Sequence, residues 1–150
     1  MQSHNRLANG LDIQTLSEIE HIKLILKNAK TIAVVGLSPK MHRDSYGVSL
    51  IMQQAGYKII PINPNAKEIL GEPVFTSLTE AAKMHTIDLV NVFRNSEDVP
   101  PVVDEAIAIQ APAVWLQLGI SHAAALEKAK DAGLLTVQNK CLKIEWRRYS

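Results

Sequence analysis

Residues 31–47 read TIAVVGLSPKMHRDSYG, and the succession of residue types in that stretch decides the fold. Thr31, Ile32, Ala33, Val34 and Val35 make a short, apolar, β-branched run, the composition of a parallel strand covered on both faces. Gly36 ends it. Without a side chain the backbone can turn sharply there and come close to a ligand. A polar, basic loop follows, and a helix expected to start near Ser45 points its free N–H groups back at the turn. Strand, glycine and helix start together predict an anion-binding turn.

What the loop lacks narrows the kind of anion. A dinucleotide fingerprint needs G-x-G-x-x-G, but Gly36 is followed by Leu37, Ser38, Pro39 and Lys40, and no glycine recurs until Gly47. A phosphate-binding Walker loop would end in Gly-Lys-Ser or Gly-Lys-Thr, and that ending is missing too. The loop instead carries Ser38, Lys40, His42, Arg43 and Ser45, which offer charge-assisted donors beside the backbone N–H groups.

Outward from this turn the chain alternates. On the amino-terminal side, residues 1–14 are polar and weakly patterned, a loose arm by expectation. Leu16, Ile19, Ile22, Ile25 and Leu26 then space an amphipathic helix to about Asn28, with Thr15 or Ser17 as its cap. On the carboxyl side, Ser45 to Ala55 reads as a helix closed by Gly56, and Tyr57 to Ile62 as the second strand. That strand runs into Pro61, Ile62, Asn63, Pro64 and Asn65, with Lys67 beyond. A nicotinamide-binding fold wants an acidic side chain here for the ribose hydroxyls, so this tip suits a ligand with extra negative charge better than a free diol.

Gly71 to Phe75 reads as a short extended piece and Leu78 to Met84 as a short helix capped by Ser77 or Thr79. Ile87 to Phe93 is the third strand, followed at once by Arg94, Asn95 and Ser96, polar donors at a carboxyl end where open α/β sheets bind ligands. Val99 to Gln110 is a helix with Pro100 and Pro101 in its first turn, where a missing N–H costs little. Ala113 to Leu118, His122 to Ala132 and Leu134 to Gln138 give a strand, a helix and the last strand, and residues 139–150 form a tail ending in Arg147 and Arg148. Five strands alternating with helices predict an α/β fold, a doubly wound parallel Rossmann-like sheet with an extra N-terminal helix. Right-handed crossovers leave few topologies, and the expected strand order is 3-2-1-4-5.

Size and charge set further bounds. At 150 residues the chain is expected to be one domain, able to bury roughly two thirds of its unfolded surface. A formal charge of +1, from 16 basic and 15 acidic residues, provides no global field for nucleic acid or an anionic membrane, so ligand electrostatics must be local. Cys141 is the single cysteine, which excludes an internal disulfide framework and fits a reducing compartment. The polar start has no apolar signal core and no apolar run approaches about 18 residues, so a cytoplasmic setting is expected. The histidines show no metal spacing such as H-E-x-x-H, and no metal is expected.

With these residues placed, the chain resembles the CoA-binding domain family, the Rossmann-like module also found at the start of the succinyl-CoA synthetase alpha subunit. The resemblance runs from about Thr31 to Arg148 through VVGLSPK and SYG, GYKIIPINP, ILGEPVFTSL, DLVNVFR, VWLQLGISH and NKCLKIEWRR. It implies that Gly36, Ser38 and Lys40 wrap a pyrophosphate, with Leu37, Arg43, Ser45 and Tyr46 also counted among the cofactor-binding residues. It implies that Asn63, Pro64 and Lys67 lie near the adenosine and its 3′-phosphate, that Phe93 and Arg94 line the adenine or pantetheine side, and that Gln117, Gly119, Asn139 and Cys141 follow the pantetheine arm. A synthetase also needs a phosphohistidine domain and a partner subunit, for which this length leaves no room. His122 is therefore read as an N-terminal helix residue. The expected ligand is coenzyme A or an acyl-CoA, bound without catalysis of the chain's own. The alternatives are a nicotinamide-dependent oxidoreductase, or a CoA-sensing regulatory or interaction module with a homo-oligomeric or protein partner.

Overall fold

The apolar run Thr31–Val35 forms strand β1, buried from Ile32 onward, in a computed structural model that describes residues 12–150. Before it, Asp12 caps a 3-10 turn at Ile13–Thr15, and α1 covers Glu18–Asn28. Of the arm expected over 1–14, residues 1–11 lie outside the described residues, while Ile13 is buried. The start of α1 follows from a reciprocal cap. The Ser17 hydroxyl accepts from the Glu20 N–H, and the Glu20 carboxylate accepts from the Ser17 N–H.

After β1 come α2 (Asp44–Gln54), β2 (Lys58–Ile62) and a small antiparallel pair, β3 (Glu68–Ile69) with β4 (Glu72–Pro73). Then follow α3 (Leu78–Ala82), β5 (Leu89–Val92), α4 (Val99–Ala108), β6 (Ala113–Leu116), α5 (Ala123–Asp131), β7 (Leu135–Val137) and α6 (Leu142–Tyr149). β2, β1, β5, β6 and β7 lie side by side in that order, all parallel, so the doubly wound parallel sheet and the extra N-terminal helix are as expected. Among the described residues no helix is long and apolar enough to cross a membrane.

The expected order 3-2-1-4-5 needs correction. Counting only the five long strands, the observed order is 2-1-3-4-5: the third strand joins β1, and β2 lies at the rim. The reason is visible in β2 itself. The Phe75 N–H donates to the Pro61 carbonyl and the Asn63 N–H to the Phe75 carbonyl, both at 3.0 Å, so the segment after β4 runs along the outer side of β2. Pro61 has no N–H for a full ladder on that side, and proline within a sheet belongs on an edge strand.

Strand alternation sends side chains to two cores. Ala33, Val35, Val90, Val92, Val114 and Leu116 meet α3, α4 and α5 through Leu78, Val99, Val103 and Leu126. Ile32, Val34, Leu89, Trp115 and Val137 meet α1, α2 and α6 through Ile22, Ile25, Met52 and Leu142. The tail expected over 139–150 is thus an ordered helix from Leu142, a second correction. Leu142 and Glu145 are buried and Trp146 and Tyr149 pack against the same core, a spacing that puts them on one face of α6.

Candidate functional site

Three strand ends meet at Gly36. Its φ is +86°, its N–H donates to the Ile62 carbonyl at 3.0 Å, and a Cβ added there would fall on the backbone of Phe93, with the carbonyl carbon 3.2 Å away and the oxygen nearer still. Glycine is thus required by the close approach of the turn after β1 to the backbone just past β5. The same bare backbone leaves the turn open on its other side.

Beyond Gly36 the loop is tied to itself. The Ser38 N–H donates to the Ser45 hydroxyl at 3.0 Å, the Lys40 N–H to the Ser38 hydroxyl at 3.1 Å, and the Arg43 N–H to the Lys40 carbonyl at 3.1 Å. Asn63 pins it from β2: its amide donates to the Leu37 carbonyl at 2.9 Å while its side-chain oxygen accepts from the Asn65 N–H at 2.8 Å. Leu37 is fully buried, so its side chain belongs to the core and only its backbone borders the turn. Tyr46 is half-buried against the α1/α2/α6 core. A cavity of about 440 Å³ opens over this frame, lined by Gly36, Ser38, His42, Arg43, Asp44, Ser45 and Phe93.

The electrostatics are local. Among the described residues Lys40, Arg43, Lys67 and Arg94 make no ion pair within 4.0 Å, as is also true of Lys23, Lys27, Lys30, Lys143 and Arg147, whereas Lys58, Lys83, Lys128, Lys130, Lys140 and Arg148 each have a carboxylate partner. Lys40, Arg43 and Lys67 are exposed and Arg94 is half-buried. All four follow strand ends at the carboxyl edge, where an anionic ligand would meet uncompensated positive charge. Asp44, in the first turn of α2, is the carboxylate on the cavity rim.

A second cluster lies further along the same edge. The Trp115 indole N–H and the Gln117 amide both donate to the Lys140 carbonyl, at 2.8 and 2.9 Å. The Gly119 N–H donates to the Asn139 side chain at 2.7 Å, with Asn139 itself at φ +56°. Cys141, half-buried, follows directly as the residue before α6. Gln117, Gly119, Asn139 and Cys141 therefore share one knot of loops, and Gly36, Ser38, Arg43, Ser45 and Phe93 share one cavity. Pro64 and Lys67 are exposed on the loop after β2.

Some of this was not among the expected site residues. Asp44 lines the cavity, with α2 beginning there, one residue earlier than the spacing of its apolar residues suggests, beside His42, which the loop's composition already offers as a donor. Trp115 and Lys140 shape the second cluster through an indole-to-carbonyl bond that no sequence spacing records. His122 caps α5: its Nδ1 accepts from the Ala125 N–H at 3.1 Å, and its own N–H donates to the Gln138 side chain at 3.0 Å. Among the described residues no group of three or more His, Cys, Asp or Glu side chains is placed to hold a metal ion.

Comparison with known proteins adds a family. The model described as the CoA binding domain matches residues 30–147. The uncharacterized protein YneT of Bacillus subtilis (strain 168) is 44% identical over 123 residues, 82% of this chain and 90% of that protein. A solved structure from Thermus thermophilus superposes with a TM-score of 0.82 at 30% identity, covering 90% of this chain and 100% of that one. A hypothetical protein from Pyrococcus horikoshii OT3 gives the same TM-score at 33% identity, covering 95% of this chain and 99% of that one.

Proposed function

The chain belongs to the CoA binding domain family, and from that premise we propose that it binds coenzyme A or an acyl-CoA along the carboxyl edge of the sheet, without catalysis of its own. The observation that carries this reading is the cavity over the glycine turn, lined by Gly36, Ser38, His42, Arg43 and Ser45, with Lys40, Lys67 and Arg94 following strand ends on the same carboxyl edge. The diphosphate lies over Gly36 and Ser38, within reach of Lys40 and Arg43. The 3′-phosphate lies toward Pro64 and Lys67. The pantetheine arm runs past Phe93 and Arg94 toward Gln117, Gly119 and Asn139, with its thiol end near Cys141.

The nicotinamide alternative fares worse on the same geometry. Where that chemistry wants a carboxylate after the second strand, this chain has Asn63, whose amide is already engaged with Leu37 and Asn65. A ribose diol would find no acid there.

Lys67 provides the discriminating experiment. Hydrogen bonds to charged groups contribute about 1.5 to 3 kcal/mol, so losing the partner of the 3′-phosphate weakens binding about tenfold or more. In calorimetric titrations, Lys67→Ala is expected to lose that factor for coenzyme A while its affinity for dephospho-CoA stays unchanged. An equal loss for both ligands would place the 3′-phosphate elsewhere.

A further inference from the structure

β7 closes one side of the sheet, and an outer strand offers unpaired N–H and C=O groups to any neighbouring chain. Here α1 covers them with side chains. The His21 Nδ1 accepts from the Thr136 N–H at 2.9 Å, and the Glu18 carboxylate accepts from the Gln138 N–H at 3.1 Å. Thr136 and Gln138 are alternate residues, and the Leu135 N–H between β7 and its inner neighbour goes to Pro112, so these two N–H groups are the ones that face outward.

The bond to Thr136 fixes the state of the imidazole. A backbone N–H can only donate, so Nδ1 carries no proton, and the ring's one proton sits on Nε2 toward the Ile13 carbonyl, 3.3 Å away. The ring is buried, yet a cavity of about 270 Å³ lies beside it, lined by Leu16, Leu126, Glu127 and Lys130 among others. The charged groups around it are Glu18 and Glu20 on α1, and Glu127 and Lys130 on α5. Lys140, past the end of β7, holds Glu18 at 3.2 Å.

We propose that α1 is an acid-sensitive latch on β7: one proton taken up at His21 Nδ1 removes the acceptor for the Thr136 N–H, and the outer edge of the sheet loosens together with the loop leading to Asn139 and Cys141. Burial holds the imidazole below its ordinary pKa, reinforced by Lys130 and opposed by the Ile13 carbonyl and Glu18. The sign follows. With the folded value below the unfolded one, the latch is whole above pH of about 6.5 and is lost as the pH falls through the folded value.

Amide hydrogen exchange of the full chain at pH 7.5 and 5.0, corrected for intrinsic rates, tests this. Protection at Thr136, and with it Gln138, is expected to fall more than tenfold at pH 5.0 while Ala33 and Val90 on the inner strands keep theirs. His21→Asn sets an untitratable oxygen where Nδ1 stands and is expected to abolish the difference. Unchanged protection at Thr136, the same fall in His21→Asn, or an equal fall at Ala33 and Val90 would each overturn the latch. Should His21→Asn not fold, ring nitrogen resonances of the wild type decide the matter: protonation of Nδ1 must track the exchange of Thr136, and protonation out of step with it contradicts the proposal.

Discussion

Gly36→Val is expected to lower the melting temperature by about 6–20 °C, before any ligand is added. A residue with a Cβ pays about 1–2 kcal/mol for left-handed backbone, and φ is +86° here. The larger part comes from the Cβ itself, which would land on the Phe93 carbonyl. That group cannot step aside freely, since the Phe93 N–H is held by the Val35 carbonyl at 2.9 Å on the adjacent strand. A total of about 3–5 kcal/mol, at about 2–4 °C per kcal/mol for a chain of this size, gives the stated shift. Gly119 is the control. Its φ is also +86°, but nothing lies within 4 Å of an added Cβ, so Gly119→Ala carries only the backbone cost. If thermal unfolding shows Gly36→Ala to be no worse than Gly119→Ala, the close approach to Phe93 is wrong. Loss of ligand binding in Gly36→Val, taken alone, would report on the fold as much as on the site.

Trp115→Ala is expected to cost about 3–5 kcal/mol, the usual range for emptying a fully buried aromatic position. The indole is completely buried in β6 between the inner face of the sheet and the α1/α2/α6 layer. Its N–H also holds the Lys140 carbonyl, so the substitution loosens the start of the loop that carries Cys141. Trp115→Phe separates the two contributions. It keeps most of the packing and gives up one hydrogen bond, about 1 kcal/mol, because Gln117 still donates to the same carbonyl. Urea unfolding midpoints of the two variants decide this. A Phe variant as damaged as the Ala variant would mean that the hydrogen bond, rather than the packing, carries the stability.

The parts of this architecture that repeat along the chain were legible without coordinates. Residues 32–35 are buried, as their apolar, β-branched composition says, whereas the spacing leaves the cap open between Thr15 and Ser17, although the Glu three residues after Ser17 marks the second. Strand order was less legible, because it depends on which edge of β1 the third strand chooses. Pro61 held the answer, since a proline whose missing N–H faces outward marks a rim strand. The last helix was obscured by its charge. Lys143, Glu145, Arg147 and Arg148 dominate α6, and only Leu142, Trp146 and Tyr149 at helical spacing betray its buried face. At the site, residue types on the Gly36 loop are what lead to the expectation of an anion. The partners that shape the loop, Ser38 with Ser45 and Asn63 with Leu37, join positions 7 and 26 residues apart, and side-chain bonds of that kind leave no period in a sequence.

The proposed recognition of coenzyme A draws on positive charge at the carboxyl edge of the sheet. Thermal unfolding with coenzyme A, dephospho-CoA and NAD at matched concentrations tests it most directly, because a ligand of the native state stabilises by mass action, about 2.7 kcal/mol at a hundred times its Kd. Coenzyme A is expected to raise the melting temperature by roughly 5–10 °C at that excess, dephospho-CoA by less, and NAD not at all. Equal stabilisation by NAD and coenzyme A, or no shift with coenzyme A at millimolar concentration, would contradict the account.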